Sequence, residues 1–105
     1  MATADLLRRL RSNLPMATTI AALGHEGPPS KMRDGRFCFL CPHCNDMLAY
    51  MNPRNNLAHC FSCNRNLNNI DLPLTLDFDF SAAIAILEHW LNEHQAKQRR
   101  AKPRM

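Results

Sequence analysis

The sequence predicts a small α+β domain in which a short-stranded antiparallel sheet is flanked by helices at both chain ends. Three observations support this: two close pairs of cysteines, strand-like segments around them, and amphipathic helical patterns near each terminus. At 105 residues the chain has the size of one domain. A domain this small buries a modest core and is commonly stabilised further by disulfides or a structural metal. We expect the structured domain at residues 1–95 and a basic, disordered tail at residues 96–105.

Four of the five cysteines have the spacing of a metal site that could stabilise so small a domain. Cys41 pairs with Cys44 and Cys60 pairs with Cys63, in the spacing C-x2-C-x15-C-x2-C. This spacing is typical of structural zinc sites, so we predict one structural Zn²⁺ bound by these four thiolates. Four thiolates leave no open coordination position, so we expect the zinc to be structural rather than catalytic.

Neighbouring residues offer alternatives to this ligand set. His43 and His59 each adjoin a cysteine ligand, and either could replace one, but the set is complete without them. Cys38 precedes Cys41 by three residues; strand alternation would turn it to the opposite face, as a small buried hydrophobe. A redox role for one cysteine pair is less consistent with the sequence, because no thioredoxin-like βαβ pattern surrounds it.

Charge and hydropathy restrict the cellular setting. The formal net charge is +4, and it falls to about +2 when four thiolates and one Zn²⁺ are counted. No apolar run of about 18 residues is present, so no membrane span is predicted. Arg8, Arg9 and Arg11 interrupt the N-terminal leucines, which is unlike a signal peptide. We expect a cytoplasmic protein, where a reducing environment favours metal-bound cysteines over disulfides.

The predicted strands surround the cysteine pairs. Residues 36–40, 47–51 and 57–60 alternate as strands, and the last two are joined by a hairpin turn at residues 52–56. Residues 25–31 contain Gly and Pro and predict a loop. The asparagines at residues 64–69 predict a tight turn, because Asn tolerates left-handed backbone. Pro73 makes residues 70–78 an irregular segment.

Three helices are predicted outside this region. Residues 4–14 carry a leucine stripe behind a Thr3 N-cap, and residues 16–23 form a short helix that ends at Gly24. Residues 82–95 form the clearest amphipathic helix, with Ser81 as its cap and Trp90 in the core.

Basic and aromatic residues flank the predicted strands and cysteine pairs, which together form a zinc-ribbon sheet. This combination suggests contact with single-stranded nucleic acid, because arginines pair with phosphates and aromatic rings stack on bases. Tyr50 is the best stacking candidate, because its hydroxyl can stay hydrated. Phe37, Phe39 and Phe61 fit a core role at least as well. The five basic residues from Lys97 to Arg104 fit a phosphate clamp or a solubilising end equally. The predicted DNA contacts are Arg36, Tyr50, Arg54 and Arg65.

These motifs together resemble the zinc-binding domain of bacterial replicative primases. The similarity covers about residues 5 to 91: a strand entering a Cys-Pro knuckle at Cys41, a hairpin, a Cys-Phe-Ser-Cys knuckle at Cys60, and a helix led by Phe80. Two departures concern the ribbon: Cys44 stands where the family often has His, and an Asn-rich stretch replaces a Gly-rich one.

The resemblance implies zinc-dependent binding of single-stranded template DNA during primer synthesis. The family's polymerase domain has no counterpart in these 105 residues, so catalysis would come from a primase-polymerase or helicase subunit on another chain. Stand-alone domains of this kind resemble products of phage, plasmid or integrative elements. Two other functions stay open: a protein-binding zinc-ribbon adaptor, and a redox-sensing zinc-thiolate regulator.

Overall fold

Five short strands form an antiparallel sheet in which the order along the chain and the order in space are the same. The computed structural model describes residues 3–101. The strands are β1 (Ser30–Arg33), β2 (Arg36–Phe39), β3 (Ala49–Asn52), β4 (Leu57–Cys60) and β5 (Asn66–Leu67). The α-helices in this range are α1 (Ala4–Ser12), α2 (Met16–Leu23), α3 (Asp71–Leu74) and α4 (Phe80–Ala101), and a short 3₁₀ helix spans Gly24–Glu26. The predicted α+β class, with helices at both ends of a small antiparallel sheet, is confirmed.

The two outer strands were not predicted. Strand β1 lies partly in the predicted loop and pairs with β2 through a two-residue turn at Asp34 and Gly35. Both turn residues have positive φ, 52° and 77°, as type I′ hairpin turns require. The Asp-Gly pair was therefore an available hairpin signal. Strand β5 lies inside the Asn-rich stretch and pairs with β4. The tight turn predicted for residues 64–69 is therefore limited to the residues before Asn66.

The helix ends follow local hydrogen bonding. The N-cap of α1 is Thr3, whose Oγ1 accepts a hydrogen bond from the Leu6 N–H at 3.1 Å. Gly24, with φ 59°, ends α2 as predicted. The cap predicted for α4 is wrong: Asp79 Oδ1 accepts from the Ala82 N–H at 2.7 Å, and Ser81 lies inside the helix. A carboxylate at this position also complements the positive helix N-terminus.

Two other segments are more helical than predicted. The short helix α3 lies within the segment that was expected to be irregular because of Pro73. Helix α4 continues through Ala101, so residues 96–101 of the predicted disordered tail are helical. The rest of that tail, residues 102–105, lies outside the described residues.

Buried side chains form two apolar clusters. In the first, the sheet cluster, helix α2 packs its apolar side on the inner face of the sheet. In the second, the helix cluster, α1 packs on α4 with Ile70 beside them. Trp90 is half-buried and contacts both clusters. The sheet cluster includes Met16, Ile20, Leu23, Phe39, Ala49, Ala58 and Leu67; the helix cluster comprises Leu6, Leu10, Leu14, Ile70, Ile84, Leu87 and Leu91.

Two buried asparagines join the sheet to the α1–α2 junction. Asn56 Nδ2 donates to the carbonyls of Arg11 and Leu14, each at 2.7 Å, and its Oδ1 accepts from the Met16 N–H at 2.9 Å. Asn69 Nδ2 donates to the carbonyls of Leu10 and Leu14. These side chains satisfy carbonyl groups that the end of a helix leaves without partners. The asparagines thus connect residues far apart in sequence, beyond the turn role that the sequence suggested.

Candidate functional site

Two equivalent turns carry the cysteine pairs. Strand β4 leads into Cys60, and Cys41 follows shortly after β2. In each turn the residue after the second cysteine is an asparagine with positive φ: 64° for Asn45 and 62° for Asn64. The N–H of each asparagine donates to the carbonyl of the first cysteine at 2.8 Å. Asn is the non-glycine residue best suited to this backbone conformation, and it lets each turn fold back toward the other.

The four cysteine sulfur atoms converge between these turns. All lie within 4.8 Å of one another; Cys41 Sγ is 3.8 Å from Cys63 Sγ, and Cys44 Sγ is 3.6 Å from Cys60 Sγ. A zinc tetrathiolate with bonds of about 2.3 Å has sulfur–sulfur edges of about 3.8 Å. The sulfur atoms are therefore arranged to hold a metal ion, and their spacing fits zinc.

The backbone of each turn supports negative charge on the first cysteine. The N–H groups of His43 and Cys44 donate to Cys41 Sγ, and those of Ser62 and Cys63 donate to Cys60 Sγ. Burial raises the pKa of the Cys41 thiol to about 12 against this donation. At Cys60 burial also acts to raise the pKa, but the donated hydrogen bonds outweigh it and lower the pKa to about 7. A bound divalent cation would stabilise all four groups as thiolates.

The two histidines beside the ligands point elsewhere. His43 is exposed, and His59 lies on the opposite face of the sheet from Cys60, with Nδ1 2.7 Å from Asn66 Oδ1. Within residues 3–101, the cluster with metal-binding geometry consists of the four cysteines. Cys38 is fully buried outside it, as predicted for a small hydrophobe.

The sheet face opposite the core carries basic and aromatic side chains, and we call it the outer face. Strand register places Tyr50 between Cys38 and His59 on this face. The Arg36 guanidinium carbon lies 4.6 Å from the centroid of the Tyr50 ring. Arg33 Nη1 donates to the Tyr50 hydroxyl at 3.1 Å. Tyr50 thus contacts both Arg33 and Arg36, which are directly opposite each other in the β1–β2 register. Two like charges at this distance repel each other, so a bound anion would stabilise the pair.

Phe61 extends the outer face. Its side chain is 58% exposed, and its ring centroid lies 5.9 Å from that of Tyr50 and 4.8 Å from that of His59, in edge contacts. The sequence left Phe61 between core and surface. Because Cys60 points inward, alternation turns the next residue outward, and this signal could have assigned it. Phe39, by contrast, is fully buried and Phe37 packs partly against the sheet cluster.

The four predicted DNA contacts are not all in one place. Arg36 and Tyr50 contact each other directly, whereas Arg54 lies in the exposed β3–β4 turn and Arg65 in the exposed turn after Cys63. A shallow pocket of about 680 Å³ follows the outer face. Its lining includes Arg36, Tyr50, His59, Phe61 and Asn66.

Comparison with known proteins gives no relative: no protein-family model, curated protein or solved structure matches this chain. Within the described part of the chain, no helix combines the length and apolar character needed to cross a membrane. Inferences about function therefore rest on the cysteine cluster and the outer face.

Proposed function

We propose that this chain is a zinc-dependent single-stranded DNA-binding domain that acts in primer synthesis beside a separate primase-polymerase or helicase subunit. The observation that carries the proposal is the outer face, where the exposed Phe61 ring contacts Tyr50 and Tyr50 in turn contacts Arg36, on the sheet that carries the cysteine cluster. The primase assignment is supported by the sequence resemblance, and DNA binding by the chemistry of this face.

The side chains of the outer face suit a single strand rather than a duplex. Unpaired bases can stack on aromatic rings while phosphates pair with arginines. Phe61 offers the more open ring, since one face of Tyr50 is covered by the Arg36 guanidinium. A base could also stack on that planar guanidinium. Arg54 and Arg65 would pair with phosphates of the DNA strand where it enters and leaves the outer face.

Zinc would affect DNA binding indirectly, by fixing the positions of the aromatic side chains next to Cys60. Cys60 lies between His59 and Phe61 in sequence, so the inward pull of a metal on its sulfur sets the outward direction of both neighbours. The hydrogen bond from Phe61 N–H to the Leu48 carbonyl, 3.0 Å long, ties the same point to the chain before β3. Removal of the metal should therefore remove the aromatic surface as well as the fold around it.

Fluorescence anisotropy with a labelled oligothymidine, measured at two salt concentrations, tests the proposal. Phe61→Ala should weaken binding by roughly 1–3 kcal/mol if a base stacks there. Phe80→Ala is the matched control, because Phe80 is similarly exposed (49%) but begins helix α4; its effect should be within twofold. Arg54→Ala should reduce the salt slope by about one unit for all sequences.

The same measurement can reject the proposal. If the zinc-loaded wild-type protein does not bind oligothymidine at low salt, where phosphate contacts are strongest, the adaptor function replaces DNA binding. Equal losses in Phe61→Ala and Phe80→Ala would also argue against base stacking on the outer face.

A further inference from the structure

The last part of helix α4 extends past the protein core. Leu91 is the last buried residue that the structure describes, and the side chains of residues 92–100 are exposed or half-buried. The helix nevertheless continues to Ala101, about 15 Å farther along its axis at the rise of an α-helix. We call residues 92–101 the C-terminal arm. Within the arm His94, Gln95 and Ala96 are half-buried, whereas residues 97–100 are exposed. Most helical stability in proteins comes from packing of an apolar face, and residues 97–100 have no such packing.

The arm is strongly basic. Its last acidic residue is Glu93, and the exposed side chains of Lys97, Arg99 and Arg100 follow. At the helical period these three side chains spread over roughly 160° of the circumference. Cations in the last turn favour the helix dipole, which helps to explain why the helix forms. That effect does not require three positive charges on a segment directed into solvent.

We propose that the C-terminal arm binds the phosphate backbone of duplex DNA, as a second nucleic-acid surface distinct from the outer face. Charge complementarity identifies a polyanion as the partner, and two features favour a duplex. Residues 92–101 contain no Phe, Tyr or Trp, and the one histidine, His94, is half-buried, so the exposed part of the arm lacks the stacking groups that characterise single-strand sites. A helix about 10–12 Å across also matches the width of the major groove, about 12 Å, where it is bordered by two phosphate strands.

This inference goes beyond the proposed function and does not depend on it. Together, the two surfaces would let one chain engage a single strand and an adjoining duplex. That arrangement suits a junction between unwound and paired DNA.

Anisotropy with a 20-base-pair duplex, compared with a 20-mer oligothymidine, tests the arm in the full-length, zinc-loaded protein. The variant Lys97→Gln/Arg99→Gln/Arg100→Gln removes three charges while keeping good helix formers. It should weaken duplex binding at least about tenfold near 50 mM salt and lower the salt slope by about 2.7, or about 0.9 per lost contact. Oligothymidine binding should change less than about threefold, on the same counterion argument.

Arg8→Gln/Arg9→Gln/Arg11→Gln on α1 is the matched control, because it removes the same net charge from another helix. It should leave duplex binding within about threefold, since only phosphate-contacting cations release counterions. Circular dichroism and zinc content verify that both variants are folded.

Three outcomes would overturn the inference. The first is no duplex binding by the wild-type protein at 50 mM salt, and the second is an equal weakening of duplex binding in both triple variants. The third is a loss of oligothymidine binding alone in the arm variant. Phe61→Ala separates this inference from the proposed function, because it should leave duplex binding unchanged. A wild-type protein that binds the duplex but not oligothymidine would contradict the single-strand proposal and retain this one.

Discussion

The ribbon and the helical half of the molecule are held together by different interactions. We call the five-stranded sheet with its two cysteine turns the ribbon, and the helices of the helix cluster the helical half. The strands of the ribbon have four residues or fewer, and strands this short have little stability of their own. The interior of the ribbon includes Cys41 and Cys60 among the buried residues. The buried residues of the helix cluster, by contrast, are all leucine or isoleucine. We therefore expect the stability of the ribbon to depend on a bound metal, and that of the helical half to depend on apolar packing.

The outer face lies on the ribbon, directly beside Cys60 of the cysteine cluster, and the C-terminal arm continues from the helix that packs on α1. Loss of the metal should therefore affect the two surfaces unequally.

Loss of one ligand should unfold the ribbon. A structural zinc contributes on the order of 10 kcal/mol at neutral pH, which is comparable to the whole stability of a small domain. We expect Cys60→Ser to lose zinc and to lose NMR dispersion over residues 36–70. Cys38→Ala is the control, because Cys38 is buried but lies outside the metal cluster, and it should retain one zinc. A well-dispersed, metal-free Cys60→Ser protein would contradict the division.

Truncation in the helix cluster should destabilise the fold without removing a metal ligand. Leu87 is fully buried, and a buried Leu→Ala substitution costs about 2–5 kcal/mol. Leu87→Ala should lower the midpoint of denaturant unfolding and still bind one zinc per chain. Leu57→Ala, at a leucine that is 39% exposed, should cost much less. A loss of zinc stoichiometry in folded Leu87→Ala would show that the two halves are not separable.

Removal of the Asn56 side chain should weaken the connection between the halves. Its three hydrogen bonds satisfy buried backbone groups, and its φ is 57°. Asn56→Ala should cost about 3 kcal/mol, because buried polar groups lose partners and alanine is strained at positive φ. Asn56→Gly removes the hydrogen bonds without the strain, so the difference between the variants measures the strain.

The control for this position is Asn55→Ala in the same turn, where the side chain accepts only the local Leu57 N–H. Chemical denaturation compares the three variants. If Asn55→Ala and Asn56→Ala cost the same, the junction does not depend on Asn56.

Loss of the α1 cap should have the smallest effect. Thr3→Ala removes the hydrogen bond to the Leu6 N–H and should cost about 1 kcal/mol. Thr3→Ser should retain most of the stability, since it keeps the accepting oxygen. Hydrogen exchange should increase in α1 and remain unchanged in strands β3 and β4. Increased exchange throughout the ribbon would show stronger coupling between the halves than the packing indicates.

Local sequence patterns were sufficient for the features that depend on short-range chemistry. The spacing of the four cysteines identified the residues that the fold brings together, because each pair needs only one tight turn. The strand at Leu57–Cys60 and the helix at Met16–Leu23 also match their predicted bounds, since alternation and a terminal glycine mark them. The turn at Asp34 and Gly35 carried a comparable signal that went unused.

Tertiary structure decided which polar and aromatic residues are buried and which form surfaces. Asn56 and Asn69 bind backbone groups 40 or more residues away, and no local pattern encodes such partners. Phe61 became part of a surface because the neighbouring cysteine turns inward, whereas Phe39 became core because α2 covers that face of the sheet. Local patterns in the sequence were enough to predict the four clustered cysteines, the class of fold and most of its elements. Packing between distant segments determined the outer face and the projecting arm, because burial depends on what the rest of the chain places against a residue.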